Sequence, residues 1–184
     1  MKDVNIISLD MEFEQPCQTI IQVGVVVGNL KSGEILEEYC EHVKVDIQIS
    51  DYIRKLTRIK QEDIDNGKSL IEIYQDLIRL HEDYNCFRNP LTWGGGDSQE
   101  LRSALKLDDE IFLFGRRWID VKTVYISYMF SQGKSNRSGL AKSLTKLGMQ
   151  FKGSKHNAMD DARNTFLIYR ELLKRIRPDR DDKD

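Results

Sequence analysis

The sequence predicts an α/β fold in which helices pack on a mixed β-sheet. Two observations lead to this class: strand-forming runs come first, and a short buried strand then alternates with segments of helical period. The 184 residues are 40% hydrophobic and 32% charged, which is ordinary for one globular domain. We expect a single domain over residues 1–177 and a frayed acidic tail over residues 178–184.

Three β-forming runs open the chain and predict an antiparallel meander. They cover residues 6–13, 19–28 and 35–45, with a turn between the second and the third. The chain from 46 to 67 is polar, and we expect it to be irregular. The sheet should therefore begin with three consecutive strands.

Helical segments follow the meander. Ser69 and Glu72 form a capping-box pattern, and the apolar positions after them recur at helical spacing over about four turns. Residues 91–93 read as a short buried strand that stops at three glycines, after which Asp97 and Glu100 can cap another helix.

The last third of the chain predicts one more short strand or turn, at residues 118–119, and three helices. The first helix covers 121–129, the second is capped by Ser138 and stopped by Gly148, and the third runs from Asn157 to Pro178. The expected apolar face of the third helix comprises Ala158, Ala162, Phe166, Tyr169, Leu173 and Ile176.

Two acids end the first strand. Asp10 and Glu12 are separated by one residue, so a strand sends both side chains to the same face. Adjacent carboxylates repel each other, and their hard oxygens suit Mg²⁺ or Mn²⁺. The alternative is a strand end whose acids face water.

Further polar residues fall at strand ends and helix starts, where ligands gather in folds of this class. Asp97 follows the glycine turn, His156 precedes the final helix, and Asp161 lies in its first turn. With Asp10 and Glu12 they make one candidate site.

Charge and cysteine content bear on the possible partners and on the cellular compartment. The net charge is −2, but local basic clusters can hold phosphates: Arg54, Lys55, Arg58 and Lys60 in one segment, and Lys134, Arg137, Lys142 and Lys146 in another. These clusters are equally consistent with solvated surface.

The three cysteines lack any Cys-x-x-Cys pair, which argues against a zinc site or a disulfide framework. No apolar run could span a membrane or act as a signal peptide, so we expect a cytoplasmic protein without a membrane partner.

Three motifs together resemble those of the DEDDh (DnaQ-like) 3′–5′ exonucleases. They are Asp10-Met11-Glu12, the segment Thr-Trp-Gly-Gly-Gly-Asp ending at Asp97, and the segment His-Asn-Ala-Met-Asp-Asp-Ala beginning at His156. The lead into Asp97 and the Leu56-Thr57 pair are similar to the Eri-like branch, which includes histone-mRNA-type exonucleases and bacterial KapD-like proteins. The resemblance implies an RNase H-like, five-stranded mixed sheet with three antiparallel strands followed by parallel strands. One departure is Gly95-Gly96, where related proteins carry bulkier residues.

The resemblance also implies a mechanism. Asp10, Glu12, Asp97 and Asp161 would hold two divalent ions, Mg²⁺ or Mn²⁺, about 4 Å apart. His156 would act as the general base for the attacking water, since imidazole titrates near neutral pH. Asp160, which is adjacent to Asp161, is assigned to helix capping. The expected activity releases nucleoside 5′-monophosphates from the 3′ end of single-stranded RNA or DNA, with RNA somewhat favoured.

Candidate substrate contacts are less specific. Phe13, Leu56 and Thr57 could touch the terminal nucleotide by stacking and apolar contact. Trp93 is a further candidate that also reads as core. Met11 should point into the interior while its backbone reaches the nucleotide. The loop 134–138 is a candidate contact for the phosphate backbone.

Two other functions fit the same residues. A nucleic-acid-binding or regulatory module would bind an oligonucleotide and release no mononucleotide. A polymerase-associated proofreading subunit would co-purify with its polymerase. The sequence names no protein partner.

Overall fold

A five-stranded sheet forms the centre of the protein. The computed structural model describes residues 1–107, 112–115, 117–135 and 138–176. The strands are β1 Asn5–Glu14, β2 Thr19–Asn29, β3 Ile35–His42, β4 Phe87–Thr92 and β5 Ile119–Asp120. Their order across the sheet is β3-β2-β1-β4-β5.

The sheet is mixed, as the sequence predicts. β2 runs antiparallel to β1 and to β3, whereas β4 pairs parallel to β1 and β5 parallel to β4. The carboxyl ends of β1, β4 and β5 therefore meet at one edge of the sheet. In sheets with parallel strands, this is the edge at which ligands bind.

Seven helices occur in the described part of the chain. They are α1 Asp51–Thr57, α2 Gln61–Asp65, α3 Leu70–Asp83, α4 Asp97–Leu105, α5 Val121–Ser131, α6 Leu140–Lys146 and α7 Ala158–Ile176. The capping box predicted at Ser69 is present at the start of α3. No described helix has both the length and the apolar character needed to cross a membrane.

The expectation of an irregular segment over 46–67 is wrong, because α1 and α2 form there. Ser50 caps α1 by accepting a hydrogen bond from the Ile53 backbone. Isoleucines spaced among the charged residues bury against Ile21 of β2 and hold both short helices on the sheet. They are Ile49, Ile53, Ile59 and Ile64. Their spacing has no single period, so helical periodicity did not reveal them.

Alternation along β1 divides the core into two layers. Ile7, Leu9 and Met11 are buried with α3 and α4 on one face of the sheet. Ile6 is buried on the other face, in a cluster that includes Phe166 of α7. Asp10 and Glu12 have the parity of Ile6 and so share the face covered by α5, α6 and α7.

Several predicted boundaries need correction. β4 begins at Phe87, and Trp93 lies just beyond its end. Gly96 is the N-cap of α4 in place of Asp97 or Glu100, which lie within its first turn. Gly139, not Ser138, occupies the N-cap of α6.

The outer end of α7 also differs. Leu172 is fully buried there, while Ile176 is 53% exposed. The apolar positions predicted from the sequence follow one row of side chains along the helix. Over 19 residues this row winds gradually around the helix axis, so its last member leaves the buried face. The tail at 178–184 lies outside the described residues, and the single-domain assignment stays a prediction.

Candidate active site

Strand β1 brings two carboxylates to the ligand-binding edge. Asp10 and Glu12 are partly buried on the α7 side of the sheet, while the Met11 side chain between them is buried in the opposite layer. The geometry follows directly from strand alternation.

A glycine turn carries the third acid. Gly94 and Gly96 have φ values of +112° and +139°, a region that favours glycine. The Gly94 N–H donates to Asp120 Oδ1 at 3.1 Å, which ties the turn to the end of β5. Asp97 follows as the first residue of α4, and its charge contributes to raising the pKa of Asp10 at the end of β1.

The start of α7 carries the fourth acid. Asn157 caps this helix, since its Oδ1 accepts from the Asp160 N–H at 3.1 Å. The Ala158 N–H donates to Oε1 of Gln22 at 3.0 Å, so a buried side chain of β2 anchors the first turn. Asp161 lies one residue beyond Asp160 in that turn.

His156 lies in a loop that two neighbouring acids hold in place. Its backbone is left-handed, with φ +59°, and its N–H donates to Asp161 Oδ2 at 3.1 Å. Asp160 accepts from the Ser154 N–H at 2.8 Å and pairs with Arg163. The predicted capping role of Asp160 is therefore wrong in detail, because Asn157 caps the helix and Asp160 fastens the preceding loop.

These elements converge. One carboxylate oxygen each from Glu12 and Asp161 and one ring nitrogen of His156 all lie within 4.8 Å of one another. These three side chains therefore form a group that could hold a metal ion. Asp10 and Asp97 lie near enough to interact electrostatically with the same cluster.

Burial first, and then the charges of neighbouring carboxylates, raise the pKa of each acid. The pKa of Asp10 lies well above its usual range, because of its burial first and then the charges of Asp161, Glu12 and Asp97. Burial and the charge of Asp161 raise the pKa of Glu12 to about 7.

The other two acids behave in the same way. Burial, with a contribution from Asp120, raises the pKa of Asp97 to about 6. Burial also raises the pKa of Asp161 to about 6, although the hydrogen bond from the His156 backbone opposes the shift.

The residues present fit a divalent cation. Four carboxylates lie near one another, and oxygen-rich sets of this kind suit Mg²⁺ and Mn²⁺. A bound cation would favour the charged form of these buried carboxyl groups and so lower their pKa values.

A cavity of about 510 Å³ opens beside the acids. Asp10, His156 and Asp161 line one part of it. Apolar side chains of Trp93, Leu140 and Phe151 line another part. The cavity therefore joins a charged end to a wall suited to flat apolar groups.

The structure places one predicted substrate contact, Trp93, on the cavity wall and another, Phe13, outside the cavity lining. Trp93 lines the cavity and packs on Tyr125, with ring centroids 6.0 Å apart. Phe13 is partly buried against the same layer as Met11 and does not line the cavity.

The pair on α1 lies away from this cavity. Leu56 packs on the isoleucine cluster, and Thr57 is 7% exposed. The Thr57 hydroxyl donates to Ile53 O at 2.9 Å. A hydrogen bond of 3.1 Å from Arg58 to Ser154 joins the end of α1 to the His156 loop.

Sequence reasoning missed the residues that position α7. A Cβ at Gly24 would lie 2.0 Å from Met159 N, so only glycine lets the helix rest directly on β2. Gln22, its neighbour but one, supplies the buried acceptor. A glycine and a glutamine inside a β-branched run were the available signal. The sequence offered no such signal for Lys122 and Phe151, which line the cavity.

Comparison with known proteins finds similarity to exonucleases. The family model described as Exonuclease matches residues 7–90. ERI1 exoribonuclease 2 of Mus musculus is 27% identical over 180 residues, covering 84% of this chain and 25% of that protein. The 3′-5′ exoribonuclease 1 of Homo sapiens is 25% identical over 182 residues, covering 89% of this chain and 51% of that protein.

A solved structure is similar along nearly its whole length. It is the nuclease domain of 3′hExo, a DEDDh family member, bound to rAMP, with a TM-score of 0.78 and 25% identity. The match covers 95% of this chain and 94% of that one, which confirms the expected RNase H-like fold. This chain spans about a quarter and about a half of the two curated relatives named above.

Proposed function

We propose that this chain belongs to the Eri-like branch of the DEDDh 3′–5′ exonucleases and that it is itself a metal-dependent 3′–5′ exonuclease. Its substrate would be the 3′ end of single-stranded nucleic acid, and its product a nucleoside 5′-monophosphate. The observation that carries the proposal is the convergence of Glu12, Asp161 and His156 within 4.8 Å beside two further acids.

The four acids have a role in this reaction that their raised pKa values support. Asp10, Glu12, Asp97 and Asp161 would hold two divalent cations. When bound, these supply Lewis-acid polarisation of the phosphate and stabilisation of the departing 3′ oxygen. The carboxylates orient that charge toward the scissile phosphate at the mouth of the cavity.

His156 would remove the proton from the attacking water. Its ring nitrogen faces the carboxylates, and its loop is fastened by Asp160 and Asp161. The water oxygen bonds to phosphorus as the bond to the 3′ oxygen breaks. The imidazole takes the water proton, and solvent supplies the proton that the leaving 3′ hydroxyl needs.

RNA is the favoured substrate in this proposal. The curated relatives are named exoribonucleases, and a related solved structure is described as recognising the 3′ end of a histone mRNA stem-loop. Those names support an RNA substrate for this chain. Single-stranded DNA is the competing substrate.

The test is digestion of single-stranded RNA and DNA of matched sequence, each labelled at its 5′ end, with Mg²⁺ or Mn²⁺. The proposal expects a ladder that shortens stepwise, faster for RNA, and its loss in Asp10→Asn. Asp83→Asn, which changes an exposed acid at the end of α3, is the matched control and should digest normally. Binding of the oligonucleotide without mononucleotide release would instead favour a binding module.

A further inference from the structure

Two lysines lie on the cavity wall, close to the starts of α5 and α6. Lys122 is in the first turn of α5, and Lys142 is the third residue of α6. A helix N-terminus carries partial positive charge and favours anionic side chains, so Lys122 opposes the dipole of α5. Both line the cavity that reaches the carboxylates.

The site carboxylates do not explain these charges. Among the lysines that line the cavity, Lys155 is the one that lowers the pKa of a site acid, Asp161. The four raised carboxyl groups show no such effect from Lys122 or Lys142. Neither of these two lysines forms an ion pair with an acid in residues 1–107, 112–115, 117–135 or 138–176.

The same cavity that holds the lysines and the acids also offers apolar surface. Trp93 is held against the buried Tyr125, and Phe151 faces the same space. Fixed aromatic faces next to cations are the features that bind single-stranded nucleic acid, with stacking for the bases and positive charge for the backbone. A strand whose last linkage lies at the carboxylates has further backbone phosphates that these lysines can bind.

We propose that Lys122 and Lys142 bind the internucleotide phosphates on the 5′ side of the scissile linkage. This inference rests on the proposed function and assigns two side chains that favour a strand threaded along α5 and α6 over a short phosphodiester. Because the lysines would contact backbone phosphates and not bases, their effect should be the same for any base sequence.

The test compares two substrates in the full chain with Mn²⁺. One is a single-stranded oligonucleotide, and the other is the p-nitrophenyl ester of thymidine 5′-monophosphate, which has no phosphate on the far side of its scissile bond. Lys142→Ala should lower kcat/KM several-fold more for the oligonucleotide than for the ester. Each lost phosphate contact should also reduce the salt dependence of log kcat/KM on the oligonucleotide by about 0.7.

Lys146→Ala is the matched control, because Lys146 is exposed on the same helix and lies outside the cavity lining. It should change neither the substrate ratio nor the salt dependence. Lys122→Gln should repeat the Lys142→Ala result. If Lys142→Ala and Lys122→Gln both match Lys146→Ala on an active enzyme, the inference is wrong and the exonuclease proposal stands. If the unaltered protein hydrolyses neither substrate, the proposed function itself fails.

Discussion

Gly24 of β2 lies directly against Met159 of α7, so closely that a Cβ on the glycine would be 2.0 Å from the Met159 backbone nitrogen. Gly24 is also the cross-strand partner of Asp10. The absent side chain therefore sets the distance between the strand that carries Asp10 and the helix that carries Asp161.

Gly24→Ala should lift the start of α7 from the sheet. Backbone atoms cannot yield as a side chain can, so we expect the upper end of the about 1–3 kcal/mol that overpacking costs, and a large loss of nuclease activity. Chemical denaturation and digestion assays measure the two effects. Gly95→Ala is the control for stability, since a Cβ at Gly95 meets nothing within 4 Å. Equal stability of the two variants would contradict the packing argument.

The carboxylate cluster should make the metal-free protein less stable as pH rises. Glu12 has a pKa of about 7 when folded and about 4.5 as its ordinary value, so the folded state retains a proton that the unfolded chain releases. Stability from this group is complete below pH about 4.5 and is lost as pH rises through about 7.

Glu12→Gln should therefore stabilise the metal-free protein at pH 8, by about 1–3 kcal/mol, and much less at pH 5. The free energy of unfolding in EDTA measures this difference. With Mg²⁺ the order should reverse, because the unaltered site gains binding energy that the variant lacks. A gain that is the same at both pH values would exclude the electrostatic cause.

His156→Asn tests the general base while preserving the loop. Asparagine accepts the left-handed backbone of His156 better than alanine does. We expect kcat to fall by about 10²–10⁴ with little change in thermal stability or oligonucleotide affinity. Single-turnover digestion at saturating enzyme measures the chemical step, and a rate within a few-fold of the unaltered enzyme would remove His156 from that role.

Asp160 should act through the position of His156. Its carboxylate accepts the Ser154 N–H at 2.8 Å and pairs with Arg163, which is itself paired with Glu38. Asp160→Asn should destabilise the fold by about 1.5–3 kcal/mol, the contribution of a charged hydrogen bond. Because Asp160 only positions the loop, kcat should fall less than in His156→Asn, and cation affinity should stay unchanged. Glu38→Gln, at the far end of the same chain of ion pairs, should affect stability more than kcat.

The sequence predicts well what depends on local pattern. Strand alternation places Asp10 with Glu12, and the capping box locates α3, because each signal lies within a few residues. The resemblance carried by the three motifs also predicted the five-stranded mixed sheet.

Contacts between distant segments could not be predicted in this way. The seating of α7 on Gly24 joins positions more than 130 residues apart, as does the bond from Ala158 to Gln22. The short helix α1 is held by isoleucines from separate positions in the sequence, and their role is visible only once they are packed together. The cavity wall that carries Lys122 likewise exists only once α5 and α6 are placed.

Titration of Mn²⁺ into the metal-free protein measures directly whether Asp10, Glu12, Asp97 and Asp161 together hold divalent cations. Calorimetry should detect about two bound ions per chain in the unaltered protein and in Asp83→Asn. Asp10→Asn should lose most of that binding while keeping its fold. Equal Mn²⁺ binding by Asp10→Asn and Asp83→Asn would contradict the account.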